Sequence, residues 1–182
     1  MSRDRLDTQF VIFPAGPTDA DDLARVHVQS WRETYRGLLP DAYLARMSET
    51  AHARRFGHAL MKPGPDDVTL AAADRWGLVG YAQGGASRRR VENEAEVATL
   101  YLVRSAQNRG LGSRLLRDAA RALAAKGATS LVISVLQGNF GARGFYEHLG
   151  GEAEPARLGP GPGGGLFHEV AYRWADIRML IG

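Results

Sequence analysis

Apolar residues in the first third of the chain recur every three or four positions, which is the period of an amphipathic helix. An apolar run at residues 10–13 predicts a short strand before this pattern begins. The pattern itself predicts a helix over residues 19–35, ended by Gly37, because its apolar side chains fall on one face. Two further helices are expected, a short one from Pro40 and another that Ser48 caps and that reaches Leu60.

The hydrophobic period changes after a Pro- and Gly-containing loop at residues 62–67. Three runs of strand-like composition follow, separated by short polar turns, and predict an antiparallel meander over residues 68–73, 78–86 and 95–103. The remaining elements are expected to be a helix, a strand buried on both faces, a second helix and a last strand, over residues 111–126, 130–136, 139–149 and 166–174. A Gly/Pro-rich loop at residues 159–165 precedes the last strand.

These elements fit one mixed α/β domain. The chain has 182 residues, which suits a single well-buried core, and it shows no internal repeat and no linker long enough to divide domains. We therefore expect one domain over residues 1–182 with its core at about residues 10–176.

The composition of the chain argues against several classes of protein: membrane proteins, disulfide-bonded proteins, metalloproteins and nucleic-acid-binding proteins. No stretch of 18 residues lacks charge and the N-terminus lacks the apolar core of a signal peptide, so the expectation is a soluble cytoplasmic protein without a membrane partner. The absence of cysteine excludes disulfides, thiolate metal sites and a cysteinyl intermediate. The five histidines show no metal-ligand spacing, which predicts no metal. The arginine clusters at residues 54–55 and 88–90 are too small and scattered to predict a nucleic-acid partner.

The segment QNRGLG, residues 107–112, stands between a predicted strand and a predicted helix. A helix start offers unpaired N–H groups and the positive end of the helix dipole, so a glycine-rich entry can cradle a pyrophosphate. The segment does not fit a nucleotide P-loop, because Ser113-Arg114 replaces the required Lys-Ser/Thr pair. It does not fit the dinucleotide fingerprint either, because Leu115 occupies the place of the third glycine. A tight strand-to-helix turn without a ligand is the alternative interpretation.

The order of the motifs around this segment is more informative about the family than the glycine pair alone. Glu96-Val-Ala-Thr-Leu-Tyr-Leu-Val, then Gln107-x-x-Gly110-x-Gly112, then Asn139 and Phe145-Tyr146-Glu-His-Leu-Gly150 resembles the GNAT superfamily of acetyl-CoA-dependent N-acetyltransferases. The resemblance spans about residues 10–174 and is specific in the middle half. It implies a mixed, mostly antiparallel sheet of about six to seven strands, flanked by helices and splayed at the central strands.

The resemblance also implies acetyl-CoA as co-substrate. Backbone amides at residues 109–112 would hold the pyrophosphate, with Ser113 and Arg114 adjacent, and the strand before them would pair with pantetheine. Two departures from the family pattern, Arg104 in place of proline and Asn108 in place of glycine, leave these backbone groups intact. The implied cofactor-binding residues are Leu102, Val103, Gln107, Asn108, Arg109, Gly110, Leu111, Gly112, Ser113, Asn139 and Tyr146.

Amine acetylation needs a neutral amine, a polarised thioester carbonyl and a proton for the leaving thiolate. Tyr146 lies two helical turns after Asn139, so both side chains project from one helix face. The resemblance implies that the phenol of Tyr146 donates a hydrogen bond or a proton to the departing sulfur. The alternative is that Tyr146 is an aromatic side chain that only packs in the core. Glu96 is the second candidate catalytic residue, a base on the strand face that carries Leu100 and Leu102. Its alternative is a solvated strand edge. A backbone N–H at residue 102 or 103 is expected to polarise the carbonyl.

The stretch Trp31-Arg-Glu-Thr-Tyr35-Arg-Gly-Leu-Leu-Pro40 resembles the family segment that forms a wall of the acceptor pocket. Trp31 and Tyr35 are therefore candidate substrate-binding residues, although core packing explains them equally well. Glu33 is the candidate pocket carboxylate for a cationic acceptor.

The leading hypothesis is an N-acetyltransferase that acts on a primary amine of a small molecule or peptide by direct attack in a ternary complex. A non-catalytic acyl-CoA-binding sensor is the alternative, and nucleic-acid binding is a third, less favoured one. The sequence leaves the acceptor open. A homodimer with a contact through the C-terminal strand, residues 167–174, is a further expectation by analogy.

Overall fold

The structure is a computed structural model that describes residues 10–182. Residues 1–9, on which the expectation about a signal peptide partly rests, lie outside the described residues. Within residues 10–182 the strands are β1 (Val11–Pro14), β2 (Val68–Asp74), β3 (Gly77–Ala86), β4 (Glu94–Leu102), β5 (Ser130–Leu136), β6 (Glu152–Ala153), β7 (Arg157–Pro160) and β8 (Leu166–Trp174). The helices are α1 (Ala20–Thr34), α2 (Asp41–Ala45), α3 (Glu49–Met61), α4 (Leu111–Ala125), α5 (Phe140–His148) and α6 (Arg178–Ile181).

The strands form one sheet in the order β1-β2-β3-β4-β5-β8-β6, with β7 also paired to β8. Every pairing is antiparallel except that of β4 with β5, which is parallel. The predicted mixed, mostly antiparallel sheet is confirmed. The pattern did not predict β6 and β7, which are two and four residues long.

The parallel pair separates after three residues. Glu94–Glu96 of β4 pair with Ser130–Val132 of β5, and beyond that point the two strands continue without pairing to each other. The expected splay at the central strands is therefore present. It leaves a wedge-shaped gap in the middle of the sheet, with the free backbone edges of β4 and β5 as its walls.

A β-bulge interrupts β4 beside this gap. Gln83 pairs with Thr99 and Gly84 with Val97, which leaves Ala98 without a partner on β3. A bulge shifts the alternation of side chains by one residue along the strand.

The bulge decides which face of the sheet Glu96 occupies. A Cβ at Gly84 would lie 3.1 Å from Leu123 of α4, so Gly84 and its partner Val97 face α4. Leu102 faces α4 too, since it lies beside Gly112. Glu96, the neighbour of Val97, thus lies on the opposite face. The expectation that it shares a face with Leu102 was wrong, because simple alternation takes no account of the bulge.

Helices cover both faces of the meander. α1 packs on α3 and on β3 at one face, and α4 packs on β2, β3 and β4 at the other. The predicted apolar stripe of α4 is buried in the main core, as Leu111, Leu115, Leu116, Ala119 and Leu123 show. A smaller cluster joins α1, α2 and the segment between them to the end of β5, and it contains Val28, Tyr35, Leu39, Leu44, Met47 and Leu136.

Candidate active site

A cleft of about 470 Å³ occupies the gap between β4 and β5. It runs from the start of α4, past the diverging strands, to α5 and the end of α1. Eight of the eleven predicted cofactor-binding residues line it: Leu102, Gln107, Asn108, Gly110, Gly112, Ser113, Asn139 and Tyr146. The other three belong to the same segments, but Val103 and Leu111 are buried in the core and the guanidinium of Arg109 lies over the ring of Phe10.

The QNRGLG segment has the backbone geometry of an anion cradle. Gly110 directly precedes α4 with a φ of 76°, and Asn108 has a φ of 57°. Glycine adopts a positive φ at little cost, which explains Gly110 at the turn. No side chain of the described residues caps α4. Its first amides are therefore free of a side-chain cap at the positive end of a 15-residue helix dipole, and this end suits a pyrophosphate.

The end of β4 presents backbone groups to the cleft. The N–H of Val103 donates to the carbonyl oxygen of Val79 at 2.9 Å, so it points toward β3 and is already bonded. Consecutive peptide groups in a strand point in opposite directions. The N–H of Leu102 therefore faces the gap, and its carbonyl oxygen accepts a hydrogen bond of 3.0 Å from the side chain of Gln107. Of the two expected polarising donors, the geometry favours Leu102.

Tyr146 reaches the cleft from α5, whose start is fixed by Asn139. The side chain of Asn139 accepts a hydrogen bond from the N–H of Ala142 at 3.2 Å and so caps the helix. Tyr146 is only 5% exposed and packs against Phe145, Tyr172 and Trp174. Burial, with a smaller effect of Tyr35, raises the pKa of the Tyr146 phenol, which therefore stays protonated and able to donate.

Glu96 does not line this cleft. It lines a second cavity on the other side of the Ala98 bulge, and Ala98 lines both. Its buried carboxylate accepts hydrogen bonds from the guanidinium of Arg88, with Nε to Oε2 at 3.0 Å, and from the backbone N–H of the same residue at 3.2 Å. Burial opposes ionisation, but the hydrogen bonds from Arg88 outweigh it and lower the pKa of Glu96.

The predicted acceptor wall is brought to the far end of the cleft. Glu33 and Tyr35 line the cleft, whereas Trp31 packs behind, with its ring centroid 4.9 Å from that of Tyr35. The Glu33 carboxylate is already engaged: it accepts the N–H of Arg104 at 2.6 Å and the amide of Gln29 at 3.0 Å. Glu33 thus ties the end of α1 to the turn that follows β4.

Further polar side chains, which the sequence did not single out, lie at the cleft or next to Tyr35 and Tyr101. The hydroxyls of Tyr35 and Tyr101 are 2.9 Å apart, and the Tyr81 hydroxyl is hydrogen-bonded to Nδ1 of His27. Thr99 and Ser134 line the cleft as well. The contact between Tyr35 and Tyr101 joins α1 to β4 across 66 positions of sequence, and no motif in the sequence indicates it.

The arginine run at residues 88–90 has a local role. Arg88 pairs with Glu96, and Arg89 pairs with Glu94 at 3.5 Å and with Glu154 at 2.9 Å. In the part of the chain that the structure describes, no cluster of His, Asp or Glu has the arrangement of a metal site. Among the same residues, no helix combines the length and apolar character that crossing a membrane requires.

A splayed sheet with a helix-terminus cradle beside the gap is the arrangement that the resemblance to acetyl-CoA-dependent transferases implies. Two experimental structures of acetyltransferases share this fold. PaiA N-acetyltransferase of Thermoplasma acidophilum, in complex with coenzyme A, has a TM-score of 0.66 at 19% identity and covers 91% of this chain and 99% of its own. yncA of Salmonella typhimurium, with acetyl-CoA, has a TM-score of 0.70 at 16% identity, covering 92% and 94%.

Sequence comparison identifies the family. The model of the acetyltransferase (GNAT) family matches residues 27–151. The uncharacterized N-acetyltransferase YuaI of Bacillus subtilis (strain 168) is 30% identical over 166 residues, which cover 89% of this chain and 91% of YuaI. The chain belongs to the GNAT acetyltransferase family. It is an acyltransferase that uses acetyl-CoA as its co-substrate.

Proposed function

We propose that the protein transfers the acetyl group of acetyl-CoA to a primary amine of a small molecule or peptide, by direct attack in a ternary complex. The observation that carries this proposal is the continuity of the cleft. It joins the start of α4, which no side chain of residues 10–182 caps, to the unpaired edge of β4 and to Tyr146. The absence of cysteine supports direct attack over a cysteinyl intermediate.

Backbone groups hold and polarise the donor in this proposal. The amides of residues 109–112, with Ser113 and Asn108 beside them, bind the pyrophosphate at the start of α4. The edge of β4 that β5 leaves unpaired beyond Glu96 pairs with the pantetheine arm as an added strand would. The N–H of Leu102 faces the gap, where it can donate to the thioester carbonyl.

In this proposal side chains supply a proton to the leaving thiolate and remove a proton from the acceptor amine. Tyr146, which stays protonated, donates to the departing thiolate. Glu96 takes the proton of the acceptor amine, directly or through water, from the other side of the Ala98 bulge. Tyr35, with Trp31 packed behind it, forms a wall for the acceptor, and Glu33 holds that wall against residue 104.

Release of free thiol from acetyl-CoA tests the proposal, because a chain without cysteine gives no background with a thiol reagent. The panel contains a polyamine, an aminoglycoside, free amino acids and short peptides. Amine-dependent thiol release together with an acetylated product supports the transferase. Tight acetyl-CoA binding without turnover on any amine would favour the acyl-CoA sensor.

Cytoplasmic location and a homodimer remain predictions. β8 is paired to β5 on one side and to β6 and β7 on the other, so its edges are not available to a second copy. A contact through the C-terminal strand would therefore involve its face or the adjoining β7. Sedimentation velocity of the purified protein would measure the oligomeric state.

A further inference from the structure

Two halves of the sheet meet at the closed end of the gap. One half contains β1 to β4, and the other contains β5 to β8. Within the described residues, the ladder between the halves is three residues long, with Glu94–Glu96 of β4 paired to Ser130–Val132 of β5. The N–H of Thr129 adds a bond of 2.8 Å to the carbonyl oxygen of Asn93. A ladder this short holds the angle between the halves only weakly, so side-chain contacts across it help to set that angle.

The width of the gap is sensitive to this angle. Neighbouring strands lie about 4.8 Å apart, so β4 and β5 must separate to about twice that distance where a strand-like ligand lies between them. The part of β4 from Glu96 to Leu102 is about 20 Å long. A rotation of about 3° at the closed end therefore shifts the open end by about 1 Å. The fit of a pantetheine arm thus depends on how firmly the closed end is held.

A buried ion cluster lies at this closed end. The Glu94 side chain has no exposed surface. It accepts hydrogen bonds from the hydroxyl of Ser87 at 2.9 Å and from Nε of Arg173 at 3.1 Å. Nε of Arg89 lies 3.5 Å from the same carboxylate. Since a buried carboxylate needs cations or a full set of hydrogen bonds, these contacts compensate for the burial of Glu94.

The partners of Glu94 come from both halves of the sheet. Ser87 and Arg89 belong to the segment between β3 and β4, in the same half as Glu94. Arg173 belongs to β8, so its side chain reaches Glu94 over β5, the strand between them. A second link runs in the other direction, because Arg89 donates at 2.9 Å to Glu154, which follows β6. Two ion pairs therefore tie the halves together at the closed end of the gap.

We propose that Arg173 is a positioning residue for acetyl-CoA, because its ion pair with Glu94 fixes the width at which the gap receives the pantetheine arm. This role rests on the proposed placement of pantetheine between β4 and β5. Neither Arg173 nor Glu94 lines the cleft, so the pair acts through the strands. The cradle at the start of α4 belongs to one half alone, since α4 packs on β2, β3 and β4. Its hold on the pyrophosphate does not depend on the angle between the halves.

Two ligands separate the gap from the cradle. Acetyl-CoA uses both, whereas adenosine 3′-phosphate 5′-diphosphate is the same cofactor without the pantetheine and acetyl groups. Calorimetric titrations of the full chain give the Kd of each ligand. Arg173→Met removes the link across the gap and leaves Glu94 with Ser87 and Arg89. The matched control is Ser87→Ala, which removes a hydrogen bond to the same carboxylate from within one half.

Arg173→Met should weaken acetyl-CoA binding about threefold to tenfold and leave the binding of the nucleotide unchanged. Arg173→Lys keeps the charge and should restore part of the loss. Ser87→Ala should lower the free energy of unfolding without changing either Kd. A change in the ratio of the two affinities, which a loss of stability alone does not produce, distinguishes positioning from a general structural role.

An unchanged Kd of acetyl-CoA in Arg173→Met, or an equal loss for both ligands, would overturn the positioning role. If Arg173→Met does not fold, Glu154→Gln cuts the second link at a partly exposed position. It should shift the same ratio in the same direction by about twofold, and an unchanged ratio there counts equally against the role. An unmodified chain that binds both ligands with the same Kd would instead contradict the placement of pantetheine in the gap.

Discussion

Tyr146 differs from the other buried tyrosines in the hydrogen bonding of its hydroxyl. The hydroxyls of Tyr35 and Tyr101 bond to each other, and that of Tyr172 donates to Glu147 at 2.6 Å. Within residues 10–182 the Tyr146 hydroxyl has no hydrogen-bond partner of its own, although its ring lies on the cleft wall. A protonated hydroxyl without a protein partner is available to whatever occupies the cleft.

Replacing Tyr146 by phenylalanine removes this donor and little else. Turnover should fall about 100-fold or more, the usual contribution of a general acid, while the Kd of acetyl-CoA is unchanged. Steady-state thiol release and calorimetry measure the two quantities. Tyr172→Phe is the matched control, since Tyr172 does not line the cleft, and it should affect stability more than turnover. Full activity in Tyr146→Phe would remove the residue from the mechanism.

Gly110 and Gly150 allow backbone strain to be separated from binding. Both have a positive φ, 76° and 80°, and at both a Cβ would meet no atom within 4 Å. Each substitution by alanine should therefore cost about 1–2 kcal/mol of unfolding free energy. Only Gly110→Ala should weaken acetyl-CoA binding, because only Gly110 lines the cleft. Equal acetyl-CoA affinities in the two variants would argue against the cradle.

At the scale of elements, the sequence predicts best what is strongly periodic. The stripe of α4 and the apolar run of β5 identify those elements almost to the residue. β6 and β7 are too short for a period, and β7 contains Gly159 and Pro160, which favour a loop. The bulge at Ala98 is a feature of the pairing between β4 and β3, so the hydrophobic pattern of β4 alone cannot predict it.

α5 depends on its cap because it is short and contains Gly141 and Gly144. Asn139→Ala should cost about 1 kcal/mol and also slow turnover several-fold, because α5 positions Tyr146. Ser48→Ala removes the equivalent cap of α3, a bond of 3.2 Å to the N–H of Ala51, at a distance from the cleft. It should show the same loss of stability in denaturant unfolding with normal turnover. A similar loss of turnover in both variants would point to a general effect of stability.

For the whole molecule, the order of motifs along the chain predicted where the cofactor cleft lies. The contacts among the side chains around the cleft join residues that are far apart in sequence, so they depend on the tertiary fold. Glu33 meets Arg104 across 71 positions of sequence, and Glu96 meets Arg88 only because the β3–β4 turn folds back. Neither pairing has a periodic signal. The sequence therefore predicts which residues gather at the site, and the structure shows which of their polar groups are already bonded.

The fold should weaken in mild acid because of His27. Burial, then His52 and Arg55, lower its pKa from 6.5 to about 3. Below pH 6.5 His27 is protonated in the unfolded chain but stays neutral in the folded chain, so the free energy of unfolding decreases as the pH falls. The unfolding free energy from denaturant curves should drop by about 1.4 kcal/mol per pH unit between pH 6 and 5. His27→Leu should flatten this dependence and exposed His58→Ala should not; equal slopes in all three proteins would contradict it.

The gap between β4 and β5 is proposed as the acetyl-CoA site, and a crystal structure of the complex would show whether the cofactor lies there. The pyrophosphate oxygens should lie about 2.7–3.2 Å from the amides at the start of α4, with the thioester carbonyl beside the N–H of Leu102. A pyrophosphate bound away from residues 107–113, with β4 and β5 flanking no part of the pantetheine arm, would contradict it.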